Sequence, residues 1–291
     1  MIDVNNLAQK NNFQIFYSSG IWTKPRGVSS ILITAIGGGG GGGGGFSAAS
    51  GSNKAGGGGG GSGSISRLYL PSIVIPDVLE ITVGNGGSGG ATTVAGTSGG
   101  QTIVEVANSV NASQTYVLVA NGGGGGGAGT AAARGTAGLA GTISSAAAAL
   151  YSNLGHPIFT VGMVGALGGL PTANSPGNSI SLGVLTPFIP VSGGAGGGAR
   201  TANGGSVIPA LGTDIPTIAG GTSTSIDGKG GFYRLKGFYS LGGGGGAGVE
   251  TSNGGNGGPG GPGSGGGGGG SGTTGGTGGK GGQGIVIITC W

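Results

Sequence analysis

Aliphatic residues gather in short bursts along the chain, and between the bursts the sequence runs into glycine. The bursts are 13–17, 28–36 (VSSILITAI), 65–70 (ISRLYL), 73–83, 102–106 (TIVEV), 115–120 (TYVLVA) and 285–291 (IVIITCW). Their lengths and their Ile, Val, Thr and Tyr content predict β-strands. Only 146–151 has a helix-like composition, and it is too short to stand alone as a helix. Glycine lies in separate runs at about 37–45, 56–63, 84–90, 122–129, 193–198, 242–248 and 254–284.

A single glycine run is ordinarily a flexible linker. Linkers threaded between all these short strands would leave nothing large enough to fold. The alternative is the extended three-residue helix, which rises about 3.1 Å per residue and makes no internal hydrogen bonds. Its N–H and C=O groups point outward and, when buried, need partners. Neighbouring helices of the same kind supply them only where no side chain holds the backbones apart. The last run carries the matching period: Asn256, Pro259, Pro262, Gly265, Gly268, Ser271, Thr274, Thr277, Lys280 and Gln283 are spaced by threes, and only Ser264 and Thr273 break the register. The stretch 254–284 therefore reads as two or three outer helices with turns at the breaks. The runs 37–45 and 122–127 have no side chains and suit interior positions. The expected fold is an all-β frame with packed polyglycine II helices and little or no α-helix.

Composition narrows the alternatives. Glycine supplies 85 of 291 residues, against a usual level of roughly 7%. Collagen requires glycine at every third position, which nine consecutive glycines at 37–45 contradict. Disorder combines high charge with few apolar residues, whereas here 6% of residues are charged and 35% are hydrophobic. The glycine helices alone are near break-even, because ordering a residue costs roughly 1–2 kcal/mol and a hydrogen bond returns about 0.5–1.5. The strands must supply a hydrophobic frame.

The inventory for chemistry is small. There is one His (His156), one Cys (Cys290) and seven carboxylates, of which Asp77 and Glu80 are the only close pair. The expectation is a non-enzyme with no cofactor and no metal. Glycine motifs of the phosphate-loop type follow trivially from composition, and Lys280 is followed by Gly281 rather than Ser or Thr. The net charge of +4 is spread out, so nucleic acid is not an expected partner. The first residues lack a secretory signal pattern, which places synthesis in a cytoplasm.

Two composition-normal insertions, 139–190 and 206–241, interrupt the glycine pattern within a domain spanning 20–291; residues 1–19 read as an N-terminal attachment segment. Displayed loops are where recognition concentrates. The second insertion clusters Phe232, Tyr233, Arg234, Lys236, Phe238 and Tyr239, residue types that dominate interfaces and whose rings stack on sugars. The first offers Tyr151, Phe159 and Phe188 among prolines. The competing reading of both is packing against the bundle. Trp22 and Trp291 read as frame residues and Cys290 as a buried small hydrophobe.

The segment FYSSGIWTKPRGVSSILITAIGGGGGGGGG (16–45) resembles the opening of the glycine-rich domains found in bacteriophage tail fibres and related surface proteins, on Phe16, Gly20, Trp22, Thr23, Pro25, Gly27 and Val28. Gly284 with IVIITCW resembles their close, and ITVGNGGSGG (81–90) their middle. The glycine helices are also similar to tip adhesins of T-even-like phages, although those carry a sizeable N-terminal attachment domain and only about 20 residues precede Trp22 here. The resemblance implies a virion protein at a tail fibre or tail tip. It would be held to other virion proteins by the N-terminal segment, bind a host outer-membrane protein or surface glycan, and leave a homotrimer open. A collar, baseplate or head-decoration subunit is the alternative. An ice-binding protein is disfavoured by the uneven Asn, Pro, Ser, Thr, Lys and Gln face.

Overall fold

The computed structural model describes residues 12–107, 116–144, 154–182, 191–209, 215–235 and 238–291. Among these the chain is all-β, with one 3-10 turn at Ser72–Val74 and no α-helix. β1 (Asn12–Phe16) and β2 (Gly20–Thr23) come first. β3 (Ser30–Ile36) continues straight into the glycine run 37–45, a loop follows at 46–54, and the run 55–64 returns to β4 (Ile65–Pro71). The excursion is then repeated. β5 (Val78–Thr82) goes out through 84–91 and back through 94–100 into β6 (Thr102–Val106); β7 (Tyr116–Ala120) goes out through 121–129 and back through 134–142. β8 (His156–Thr160) goes out through 161–169 and back through 175–179 to β9 (Ile180–Ser181). Runs 192–199 and 203–206 lead to β10 (Val207–Ile208), and runs 219–222 and 226–231 to the hairpin of β11 (Tyr233–Arg234) and β12 (Tyr239–Ser240). Runs 241–248, 254–261, 264–272 and 274–284 end in β13 (Ile285–Cys290).

The long strands make two antiparallel sheets, ordered β1-β13-β3-β4-β8 and β2-β5-β6-β7. Alternation decides which side chains meet between them: in β5, Leu79 and Ile81 are buried while Val78, Glu80 and Thr82 face out. Leu79, Ile81, Trp22, Val104 and Leu118 of one sheet share a core with Ile31, Ile33, Leu68, Leu70, Val286 and Ile288 of the other. Each such aliphatic contributes roughly 1.5–3 kcal/mol by leaving water. The sandwich is thus the hydrophobic frame. β1, within the segment assigned to attachment, is an edge strand of this frame, paired from Asn12 with Cys290 to Phe16 with Val286. Trp22 is buried, whereas Trp291 is 42% exposed and stacks on Tyr69 with ring centroids 5.7 Å apart. β2 and β8 carry little aliphatic signal, and β8 holds Pro157 at a sheet edge, where a missing N–H is tolerated.

The glycine runs form a hexagonal bundle. In 37–45 every third amide addresses the same neighbour: Gly38, Gly41 and Gly44 donate to Gly100, Thr97 and Val94; Gly39, Gly42 and Gly45 to Gly282, Gly279 and Gly276; Gly40 and Gly43 to Gly61 and Gly58. Those three neighbours are antiparallel. The run's carbonyls accept from three parallel ones, through Gly123, Gly126 and Gly129, through Gly87 and Gly90, and through Gly266 and Gly269. All these bonds are 2.8–3.0 Å long.

Followed outward, the same pairing stacks the described runs in four layers. The first holds 84–91, 274–284, 254–261 and 226–231; the second holds 94–100, 37–45, 264–272, 241–248 and 219–222. The third holds 121–129, 55–64, 192–199 and 203–206, and the fourth 134–142, 161–169 and 175–179. Runs 37–45, 55–64, 192–199, 241–248 and 264–272 are buried along their whole length. A methyl on Gly41, Gly42 or Gly43 would fall on the carbonyl oxygen of Ser88, Gly267 or Gly127, well inside contact distance.

The stretch 254–284 departs from its sequence reading in one respect. It breaks near Ser264 and Thr273, with Gly263 at φ +73 in the first turn, but the middle segment is interior. Its period-three positions are Gly265 and Gly268, so it can be enclosed. In the flanking segments those positions, Asn256, Pro259, Thr277, Lys280 and Gln283, are exposed.

Candidate functional site

The described excursions leave from the sandwich end and return to it, so their far turns gather at the opposite end of the bundle. This loop end consists of 46–54, 92–93, 130–133, 170–174, 200–202, 222–225, 249–253 and 273–274. Its side chains are mostly Ser, Thr, Ala and Asn. Turns are tied locally, as where the Thr130 amide donates to Ala133 O at 2.9 Å and the Thr222 amide to Ser225 O at 2.8 Å.

Its charged residues are engaged with one another. Lys54 is fully buried, donates from Nζ to the Glu250 carbonyl at 2.7 Å and lies 3.6 Å from Glu250 Oε1. Arg200 Nε donates to Glu250 Oε2 at 3.2 Å, and the Gly51 amide donates to Oε1. The Gly51 amide, with Lys54 and Arg200 behind it, holds the Glu250 carboxyl below its ordinary range against the opposing effect of burial. Loops 46–54, 200–202 and 249–253 are clamped by this network. No local pattern marks it, since the three residues are far apart in a chain with few charges.

The aromatic candidates lie elsewhere. The hairpin of β11 and β12 joins runs 226–231 and 241–248 at the sandwich end, away from the loops. Phe232 and Tyr239 pack on a cluster of Ile180, Leu182, Val207, Ile218 and Leu241, and Phe238 packs on Ile36, Ile65, Val191 and Ile285. Burial pushes the Tyr239 hydroxyl above its usual range. Tyr233 and Arg234 are exposed. Phe159 is partly buried against the main core. Lys236, Tyr151 and Phe188 lie outside the described residues.

Tyr233 instead meets Tyr17, Pro259, Pro262, Lys280 and Gln283 around a groove of about 310 Å³ floored by Gly260, Gly281 and Gly282. The groove has a simple origin. The two outer runs are parallel and in register, with Gly257, Gly260 and Gly263 amides donating to Thr277, Lys280 and Gln283 carbonyls. Their side chains therefore stand as two facing ridges. At one rung the ridge is closed, Thr277 Oγ1 donating to Asn256 Oδ1 at 2.9 Å. At the next two, Pro259 faces Lys280 and Pro262 faces Gln283, and the space between them is open. Burial and the nearby Tyr233 raise the Tyr17 hydroxyl above its usual range, so it stays a neutral donor. The ridge residues were visible in the sequence as period-three positions; Tyr17 was visible only as a strand residue.

Among the described residues no three His, Cys, Asp or Glu side chains come together, and no helix is long and apolar enough to cross a membrane. Cys290 is buried and its thiol is pushed up by that burial.

The sequence profile of the family described as "Glycine-rich domain" matches residues 17–291. No curated protein matches the chain.

Proposed function

The chain belongs to the glycine-rich domain family, and on that premise we propose that it is a virion protein of a bacteriophage tail fibre or tail tip, an adhesin that touches the host surface with its loop end. The observation that carries this reading is the separation of roles along one axis. β1 pairs with β13, and Trp291 follows β13, all at the sandwich. The turns converge at the other end, on runs whose nine-residue members span roughly 28 Å. A hydrogen-bonded bundle underneath holds those turns in fixed relative positions, and loops on rigid scaffolds are favoured places for recognition. Their hydroxyl and amide groups suit neutral hydrogen bonding with a surface glycan or an outer-membrane protein loop. Attachment to other virion proteins falls to the sandwich end.

The test is competition. Purified protein added to host cells should occupy receptor and block adsorption of the phage that carries it. Widening the exposed turn at Thr222–Ser225 with several glycine and serine residues should abolish that block without lowering Tm. Protein that never binds cells would favour a purely structural subunit.

A further inference from the structure

We infer that the groove between Tyr17, Tyr233, Lys280 and Gln283 is a binding site for an anionic saccharide unit. It lies on the flank of the bundle near the sandwich, distinct from the loop end, and stands whether or not that end touches a cell.

The walls are two exposed phenol rings, Tyr17 at 37% and Tyr233 at 48% exposure. They come from the turn after β1 and from β11, elements that the sandwich and the hairpin hold independently. The phenol rings and the faces of Pro259 and Pro262 present flat apolar surface, which suits the C–H face of a pyranose. The floor is glycine backbone, so nothing fills the space a ring would take.

Polar groups converge from one side. Lys280 and Gln283 are three residues apart on one ridge and so point the same way. The Lys280 ammonium has no hydrogen-bond or ion-pair partner among the described residues, in contrast to Lys24 and Lys54, each paired with a carboxylate. No carboxylate lines the groove. An apolar recess with a few convergent polar groups is the usual form of a small-ligand site, and an unpaired ammonium beside amide and phenol donors selects a ligand that brings negative charge. A carboxylate on a uronic-type sugar and a phosphate on a sugar both satisfy that chemistry.

The hairpin explains why the site escapes a sequence reading. Its aromatic residues divide into Phe232, Phe238 and Tyr239, which anchor it, and Tyr233, which the anchoring presents to ridges from the far end of the chain.

The experiment is calorimetric titration of the full chain with trigalacturonate, glucose 1-phosphate and neutral maltotriose, repeated on Lys280→Gln and Tyr233→Ala. Both substitutions are at exposed positions, and an unchanged Tm confirms that each variant is folded. Binding of either anionic sugar, weakened about tenfold or more by each substitution and absent for maltotriose, is the expected result. The arm that binds identifies the anion. The inference is overturned if neither anionic sugar binds at millimolar concentration, if maltotriose binds as well, or if binding survives both substitutions.

Discussion

The amide of Gly43 donates to the carbonyl of Gly58 at 2.8 Å, and a side chain on Gly43 would strike the carbonyl of Gly127 in the next run round. Bonding to one neighbour and exclusion by another are the same fact seen from two sides. Backbones close enough to hydrogen-bond laterally in every direction leave no room for a Cβ.

Substitution should therefore sort by layer, not by residue type. Gly43→Ala adds one methyl and is expected to cost about 3 kcal/mol or more, because backbone rather than a movable side chain must give way. Thr277→Ala, on an outer ridge, removes one exposed hydrogen bond and should stay within about 1 kcal/mol. Urea midpoints of the two variants make the comparison.

Glu250 links the loop end to pH. Its carboxyl pKa is lowered on folding, so its contribution is complete above the unfolded value near 4.5 and disappears as pH falls through the lower folded value. Glu250→Gln leaves Lys54 buried without its counter-charge and should cost on the order of 3 kcal/mol at pH 7. The gap in Tm between wild type and variant is expected to narrow as pH is lowered from 5 toward 2.

The hairpin aromatics should separate cleanly. Phe238→Ala opens a hole beside Ile36 and Val191 and is expected to destabilise by about 2 kcal/mol, the half-buried ring giving less than a fully buried one. Tyr233→Ala should leave stability within about 0.5 kcal/mol, since its ring is exposed. Thermal unfolding followed by circular dichroism measures both.

Much of this architecture is legible in the residues. Glycine without side chains at 37–45 and the spaced Asn256, Pro259, Thr277, Lys280 and Gln283 announce interior and edge, because a three-residue helix offers each face every third residue. Gly265 and Gly268 carry the same spacing, and their lack of side chains is the only mark that their segment is enclosed. The frame strands announce themselves by aliphatic content, except β2 and β8, which borrow their stability from neighbours. What stays hidden is lateral order. Which run lies beside which is set by the strands that feed them, so the meeting of Tyr17 with Tyr233 and of Lys54 with Glu250 has no local signature. The cluster from Phe232 to Tyr239 reads as one surface in sequence, yet the hairpin turns three of its rings inward.

Hydrogen exchange at the amides of 37–45 tests the packed bundle most directly. Every amide in this run that donates to a neighbouring run is buried, so Gly38 to Gly45 should exchange only through global unfolding, with protection equal to that of Ile33 and Ile288 in the sandwich. Exchange at the rate of an unstructured glycine linker, while the sandwich amides stay protected, would contradict the account.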